Sequence, residues 1–437
     1  MTGLLTTSGS QFRDWSATYR LFSKNRIPTP DLFSVIRRAV TELLPPNAPF
    51  RAVIDDSLIR RSGLRTPGVA WRRDPLGPRF QTNFVRAQRF LQISAVIPGT
   101  KDAFRVAPIA FIHTPTPPKP NRKASAADRA TYRRDALAAR LSLRASEQIL
   151  KLRKSLDQDP SGKQRTLCIA FDGGYTNSTV LKPIPPRTTF IGRIRKDAKL
   201  YFPPDPTLMK KTGRRLLYGV AAPTPDQLRT DDSEPWQTMI FTHGGVEHRL
   251  RYKLRQKMMW RSAGAKHKLQ LVVIAPLAYR LRKGSKLLYR DPAYLICTDP
   301  ELAVREIIEA YFQRWDIEVN FRDEKTLLGV GQAQVRAAAS VESAPALTVA
   351  AYGMLLVSAE RAFGGSEEGL LPQPKWAGKS KGTRVSTQQM LHQLRAEVWG
   401  KGLGIESFSG FASNLPSDTK SEKCTFPVAS AVCYANG

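Results

Sequence analysis

Apolar positions in the first half of the chain form short runs bounded by loop residues, and this pattern is typical of buried strands. The runs predict strands at 50–55, 79–97, 104–113, 166–172 and 188–195. Two short helices are predicted within 10–45, and a polar amphipathic stretch predicts a long helix at 124–156. The order strand, strand, strand, helix, strand favours a mixed sheet with helices packed on its faces. We therefore predict an α/β fold.

Later segments change character and suggest where the core is interrupted. Residues 195–290 carry 21 Lys and Arg against 7 Asp and Glu, with strand-like stretches at 237–242, 247–259 and 268–275. An apolar strand at 293–297 and two helices follow, and glycine, proline, lysine and serine dominate after 364, apart from a helical stretch near 386–399. The predicted segments are a helical N-terminal region 1–48, a first core part 49–196, a β-rich basic insertion 197–291, a second core part 292–363, and a partly disordered tail 364–437.

One late helix carries charged and aromatic residues at helical spacing. Tyr311, Arg314, Glu318 and Lys325 are three, four and seven residues apart, so they share one side of the helix. The opposite side is predicted to bury Ile307, Phe312, Trp315, Val319 and Leu328. If this helix stood alone, a solvated face with weak ion pairs would be the favoured explanation of the charged side.

The composition of the chain indicates which kind of partner the protein binds. The chain has 68 Lys and Arg against 37 Asp and Glu, a net charge of +31, which indicates binding to a polyanion, most plausibly nucleic acid. Hydrophobic residues make up 41%, which favours a folded protein over a basic disordered tail. The four cysteines show no paired spacing, and no apolar run approaches the ~20 residues of a membrane span. We expect a cytoplasmic protein without membrane contacts.

Three carboxylates stand out by position. Asp55 ends the first predicted strand, Asp172 ends the strand after the long helix, and Glu318 lies on the late helix. If the first and fourth strands are neighbours, the two aspartates lie side by side, and a crossing helix can bring Glu318 to them. Clustered carboxylates need cations, and Mg²⁺ or Mn²⁺ suits oxygen ligands. Side chains alternate along a strand, so only one of Asp55 and Asp56 can face the cluster; Asp55 is preferred and Asp56 is the alternative.

The pattern Tyr-x2-Arg-x3-Glu-x6-Lys formed by Tyr311, Arg314, Glu318 and Lys325 resembles the signature of the insertion-sequence-four family of DDE transposases. The segments around Asp55 and Asp172 also resemble that family. The resemblance covers about residues 50–360. It implies an RNase H-like core with a β-rich insertion between the second aspartate and the glutamate, which is the place of the basic insertion.

The resemblance also implies the chemistry. Asp55, Asp172 and Glu318 would hold two Mg²⁺ (or Mn²⁺) ions, and Tyr311, Arg314 and Lys325 would contact phosphates at the transposon end. The reaction would be hydrolysis at the ends of a mobile element and strand transfer into target DNA. The partners would be double-stranded DNA, namely terminal inverted repeats and target DNA, and a second copy of the chain in a homodimer.

Further DNA contacts are predicted in and beside the insertion. Arg193 and Arg195 follow a strand near the second aspartate, and cations alternate from 249 to 257 so that one sheet face would be basic. Several relatives stack a flipped base on an aromatic residue of the insertion; Trp260 is the candidate, with Trp236 and Tyr289 as alternatives. Two other functions stay open: a catalytically inactive or domesticated DNA-binding relative, and a non-transposing RNase H-like nuclease.

Overall fold

The computed structural model describes residues 2–24, 26–63, 65–78, 80–99, 104–208, 215–243, 246–282, 284–364, 371, 384–399 and 431–434. Most of the predicted tail 364–437 therefore lies outside the described residues, apart from its helical stretch.

The strands, numbered in chain order, are β1 Phe50–Arg60, β2 Ala70–Arg73, β3 Phe84–Ile97, β4 Arg105–His113, β5 Leu167–Phe171, β6 Thr188–Arg193, β7 Leu200–Tyr201, β8 Gln237–His243, β9 Val246–Trp260, β10 Leu269–Ile274, β11 Ala278–Tyr279, β12 Leu288–Tyr289 and β13 Ala293–Cys297. The helices are α1 Thr2–Thr7, α2 Trp15–Ser23, α3 Thr29–Leu43, α4 Ala126–Ala138, α5 Leu141–Gln158, α6 Ser178–Leu181, α7 Pro225–Thr230, α8 Val304–Gln313, α9 Trp315–Thr326, α10 Ala338–Phe363 and α11 Thr387–Trp399.

Among the described residues, eleven strands form one mixed sheet. Its main path runs β2-β3-β1-β5-β6-β13-β10-β9-β7, with β4 paired to β3 and β8 paired to β9. The strands β1, β5 and β6 are parallel, and the remaining pairs are antiparallel. The strands β7 to β10 of the predicted insertion join this sheet next to β13, which belongs to the predicted second core part. The predicted mixed α/β fold, consistent with an RNase H-like nuclease core, is confirmed.

Apolar side chains pack on both faces of the sheet, as successive residues of β1 illustrate. Val53 belongs to the cluster that contains Ile307 of α8 and Ile317 of α9. Ile54 belongs to the other cluster, with residues of α3, α5 and α10. Each such fully buried side chain stabilises the fold by about 1.5–3 kcal/mol relative to exposure. The sheet is thus covered by α8 and α9 on one face and by α3, α5 and α10 on the other.

The helix α10 is long and apolar enough to cross a membrane by composition, yet 67% of its apolar stretch is buried inside the protein. Its Gly353 lies so close to β4 that an added Cβ would be 2.8 Å from the carbonyl oxygen of Pro108. The helix is therefore packed as a core element of the α/β fold.

Several predicted boundaries were wrong. The long helix at 124–156 is two helices, α4 and α5, separated at Ala139 and Arg140. The first strand continues past Asp55 to Arg60, because antiparallel pairing with β3 extends from Ala52 to Arg60 whereas parallel pairing with β5 ends at Ile54. Asp55 therefore marks the place where the parallel neighbour ends, and the strand itself continues.

Candidate active site

The two aspartates lie next to each other because of the strand register. Parallel pairing of β1 with β5 ends at Ile54, which is opposite Phe171. Asp55 directly follows Ile54 and Asp172 directly follows Phe171 in the sequence. A backbone N–H from Gly174 donates to Asp172 Oδ1 at 2.8 Å, which fixes the turn after β5. The condition set by the sequence, that the first strand and the strand before Asp172 are neighbours, is met.

Asp55 is largely buried and has two charged neighbours. Burial, and then the negative charge of Asp172, raise the pKa of Asp55 to about 7, against the opposing effect of Arg314. Arg314 Nη1 lies 3.0 Å from Asp55 Oδ2, and its Nη2 lies 3.0 Å from Glu318 Oε1. One guanidinium group therefore bridges the first aspartate and the glutamate.

The signature helix of the sequence is in fact two helices that meet at Arg314. The N–H of Arg314 donates to Tyr311 and the N–H of Ile317 donates to Arg314, so this turn has the tighter three-residue spacing. Tyr311 is partly buried, and the Arg314 guanidinium carbon lies 5.9 Å from the centre of its ring. Tyr311, Arg314 and Glu318 therefore meet at the start of α9, beside Asp55.

Lys325 lies seven residues after Glu318 on α9, and its side chain reaches β1, the strand that carries Asp55. Its Nζ donates to Ser57 Oγ at 2.6 Å. Ser57 is two residues after Asp55, so both side chains point to the α9 face of the sheet. The sequence did not single out Ser57, although strand alternation from Asp55 would have placed it on that face.

Asp56 takes the opposite face, where it accepts a hydrogen bond from the Tyr175 hydroxyl at 2.9 Å. Burial raises the pKa of Asp56, while Tyr175 and Arg89 oppose that shift. Of the two adjacent aspartates, Asp55 is therefore the one beside Arg314 and Glu318. Tyr175 lies in the segment after Asp172 that resembles the transposase family, but its contact with Asp56 was not predicted.

The buried side of α9 is more polar than the sequence suggested. Trp315, predicted to pack on the core, is 57% exposed, because the tight turn at Arg314 shifts the faces of α8 and α9 relative to each other. The buried polar residues of α9 are Asp316, Asn320, Asp323 and Glu324. Asp316 pairs with Arg384 at 2.5 Å, and Asp323 accepts from the Thr387 hydroxyl at 2.7 Å. The helix that bears Glu318 is thereby attached to the region of α11.

A groove of about 990 Å³ begins at Gly173, next to Asp172. Its cationic and aromatic lining includes Arg193, Arg195, Lys196, Arg229, Trp260 and Tyr294. Arg193 and Arg195 are exposed, and Trp260 is partly buried at the end of β9. The three residues predicted to contact DNA outside the signature thus line one groove, together with Asp197, Asp226 and Asp291.

The basic face predicted along β9 is only partly formed. Lys253 is 2% exposed, and its Nζ donates to the carbonyl oxygens of Leu228, Arg229 and Asp231 at the end of α7. Lys257 has a positive φ of 57°, where the pairing of β9 with β10 is irregular. The alternation of cations is therefore interrupted, and Lys253 binds the insertion's own backbone.

The aspartate pair suits a divalent cation, since both are hard oxygen donors and the charge of Asp172 raises the pKa of Asp55. Glu318 is bound to Arg314. Across the ranges that the structure describes, no three His, Cys, Asp or Glu side chains are grouped to hold a metal ion. Asp55 and Asp172 are thus two oxygen donors that could hold a cation, whereas Glu318 is held by Arg314.

The sequence was compared with known families and with curated proteins. The profile of the DDE superfamily endonuclease family matches residues 3–265, a range that includes Asp55, Asp172 and most of the predicted insertion and ends before Glu318. No curated protein matches the chain. The match spans more than half of the sequence, and together with the mixed sheet and the adjacent aspartates it shows that the chain belongs to the DDE superfamily endonucleases.

Proposed function

We propose that this endonuclease is the transposase of a bacterial insertion sequence of the insertion-sequence-four type. It would act in the cytoplasm on double-stranded DNA, bind the terminal inverted repeats as a homodimer, and carry out cut-and-paste transposition. The observation that carries the proposal is the Arg314 bridge between Asp55 and Glu318. The bridge connects the helical signature of that family with the first aspartate of the endonuclease.

Asp55, Asp172 and Glu318 are proposed as the catalytic and metal-binding carboxylates. Nucleases of this superfamily generally use divalent metals. Two Mg²⁺ or Mn²⁺ ions, when bound, would activate the attacking oxygen and stabilise the leaving oxygen of the phosphodiester. The protein's own contribution is to hold two aspartates side by side where the pairing of β1 with β5 ends, in partly buried surroundings where charge interactions are strong.

Arg314 is proposed to exchange partners when DNA binds. In the free protein its guanidinium forms one ion pair with Asp55 and one with Glu318. A phosphate offers the same planar group a bidentate partner. Transfer of Arg314 to a phosphate would free both carboxylates, so that the acidic site forms when the substrate is present. Tyr311 and Lys325 would contact neighbouring phosphates.

We propose that the DNA backbone lies in the groove lined by Arg193, Arg195 and Trp260. Trp260, which lines this groove, is proposed to stack on a flipped base. The alternative Trp236 has Lys253 Nζ 4.7 Å and Arg251 Cζ 5.6 Å from its ring centre, so cations already occupy its surroundings. Tyr289 is 64% exposed and is not among the residues that line the groove.

The test is cleavage and joining of DNA that carries the inverted repeats flanking the reading frame, with Mg²⁺. Wild type would be compared with Glu318→Gln and with Glu342→Gln, a control on the exposed side of α10. We expect cleavage and strand transfer by wild type and the control, and a loss of at least about a hundredfold in Glu318→Gln.

Equal activity of Glu318→Gln and wild type would remove Glu318 from the site. Cleavage without joining would favour the non-transposing nuclease. Specific binding without cleavage by the wild type would favour the inactive or domesticated DNA-binding relative.

A further inference from the structure

Four side chains form an alternating aromatic and cationic surface on the hairpin of β2 and β3. In the strand register Trp71 is opposite Arg86, and Arg73 is opposite Phe84. Trp71 and Phe84 are 68% and 56% exposed, and Arg73 is exposed beside them. The two aromatic rings therefore occupy one diagonal and the two guanidinium groups the other. We call this set the hairpin quartet.

The hairpin quartet has the chemistry of a nucleic-acid surface. Arg86 Cζ lies 6.0 Å from the centre of the Trp71 ring, at the limit of a cation–π contact. The segment from Arg60 to Arg86 contains one carboxylate, Asp74, and that group is paired with Arg60 at 2.9 Å. The surface is thus positively charged, and its aromatic rings are open to water at the edge of the sheet.

The quartet also lies on the side of the sheet that carries Asp55. Asp55 is opposite Gln92 on β3, and Phe84 and Arg86 alternate with Gln92 along the same face of that strand. Six residues separate Gln92 from Arg86, a distance of about 20 Å along a strand. A DNA strand leaving the Asp55 site would reach the quartet within one turn of duplex length, after passing over the stretch of this face where Ser57 and Gln88 are buried.

We propose that the hairpin quartet binds unpaired DNA bases next to the cleavage position, a proposal that rests on DNA being held at the Asp55 site. Diagonal positions across two antiparallel strands are about 7–8 Å apart, which is wide enough for Trp71 and Phe84 to stack on two successive splayed bases. Arg73 then binds a neighbouring phosphate, together with Arg86, whose guanidinium also donates to the carbonyl oxygens of Ser62 and Gly63 at 3.3 Å. Duplex DNA keeps its base faces covered, so it would gain only the contacts to the two cations.

The test is fluorescence anisotropy of the full-length protein, without metal, on a labelled 20-nucleotide oligothymidylate and on a labelled 20-base-pair duplex. Trp71→Ala with Phe84→Ala should raise the single-strand Kd by about tenfold or more and the duplex Kd by less than about threefold. Trp71→Phe keeps a stacking ring and should stay within about threefold of wild type. Trp15→Ala is the matched control, a tryptophan 56% exposed on α2, and should change neither Kd.

An unchanged single-strand Kd in the double variant, or an equal loss on both DNA forms, would overturn the proposal. A double variant that loses self-association in sedimentation while keeping its single-strand affinity would overturn it in favour of a contact with a second copy. The measurement needs no cleavage, so a wild type that fails to cut would count against the proposed transposase and leave the result for the quartet standing.

Discussion

Arg314 pairs with Asp55 and Glu318, two of the three carboxylates that are proposed to hold the metal ions. Arg314→Gln removes that cation, so in the absence of DNA we expect Mn²⁺ affinity to rise by about tenfold. Isothermal titration calorimetry measures it, with Arg305→Gln of α8 as the control. An unchanged Mn²⁺ affinity would show that Arg314 does not compete with the metal.

Arg314 should also contribute to DNA binding through its transfer to a phosphate. Loss of one phosphate contact weakens binding and reduces the slope of log K against log salt concentration by about 0.9. The measurement is binding of inverted-repeat DNA by Arg314→Gln between about 50 and 200 mM salt. A slope equal to that of wild type would contradict the proposed exchange of partners.

Because Glu324 is buried, we expect it to make the stability of the fold depend on pH. Its carboxyl is 1% exposed and burial raises its pKa from 4.5 to about 8, against a hydrogen bond from Gln92 and the charge of Lys325. Because the folded-state pKa is the higher one, the folded protein binds the extra proton. The stability contributed by this group is complete below pH 4.5 and is lost as the pH rises through 8.

Glu324→Gln removes this titration while keeping the shape of the side chain. The difference in unfolding free energy between variant and wild type should therefore grow in favour of the variant, by roughly 1.4 kcal/mol per pH unit between 4.5 and 8. Urea unfolding at several pH values measures the difference. A difference that is constant with pH would show that Glu324 is already ionised in the folded protein.

The positions of the candidate site residues could be predicted where they follow from spacing along the sequence. Asp55 and Asp172 followed from two apolar runs, and the signature helix followed from a four-residue pattern. The Arg314 bridge was not predictable, because a helical pattern gives the side of a helix and leaves its partner 259 positions away unspecified. Likewise the partner of Lys325 was expected to be a phosphate, whereas in the free protein it is Ser57.

At the scale of elements, the position of α9 depends on contacts with Arg384, which lies just before α11. Arg384 donates to both carboxylate oxygens of Asp316 and to the carbonyl oxygen of Phe104. Arg384→Ala leaves the buried Asp316 carboxylate unpaired, so we expect a loss of roughly 3 kcal/mol in unfolding free energy. Urea unfolding measures it, with Arg361→Ala as the control.

The control breaks an ion pair of the same type at the surface. Arg361 and Glu42 have side chains 49% and 59% exposed, and such a pair contributes less than about 1 kcal/mol. Similar losses in the two variants would mean that Asp316 is hydrated after Arg384 is removed, and that α9 does not need this attachment.

Element types were easier to predict than element ends. The apolar pattern predicted β5, β10 and β13 because each is a short apolar run that is buried on both faces. The strand β2 was missed because it has four residues and alternates between partly buried and exposed positions. The buried polar side of α9 was missed because its partners come from distant segments of the chain.

At the scale of the whole molecule, the net charge of +31 predicts affinity for any polyanion and does not say where it binds. The fold brings the end of β6 and the end of β9 to one groove beside Gly173, which is the proposed place of DNA binding. If the field of the whole molecule holds the DNA, removing two cations should have the same effect on binding wherever they lie. If the groove holds the DNA, only cations of the groove should matter.

Arg193→Gln with Arg195→Gln removes two exposed cations of the groove, one of which is paired with Asp197. Arg133→Gln with Arg134→Gln is the matched control on α4, where both are exposed and one is paired with Asp135. If phosphates lie in the groove, the first pair should reduce the salt slope of duplex binding by about 2, and the control should change it little. Since the two variants carry the same net charge, equal reductions would mean that the field of the whole molecule, and not the groove, holds the DNA.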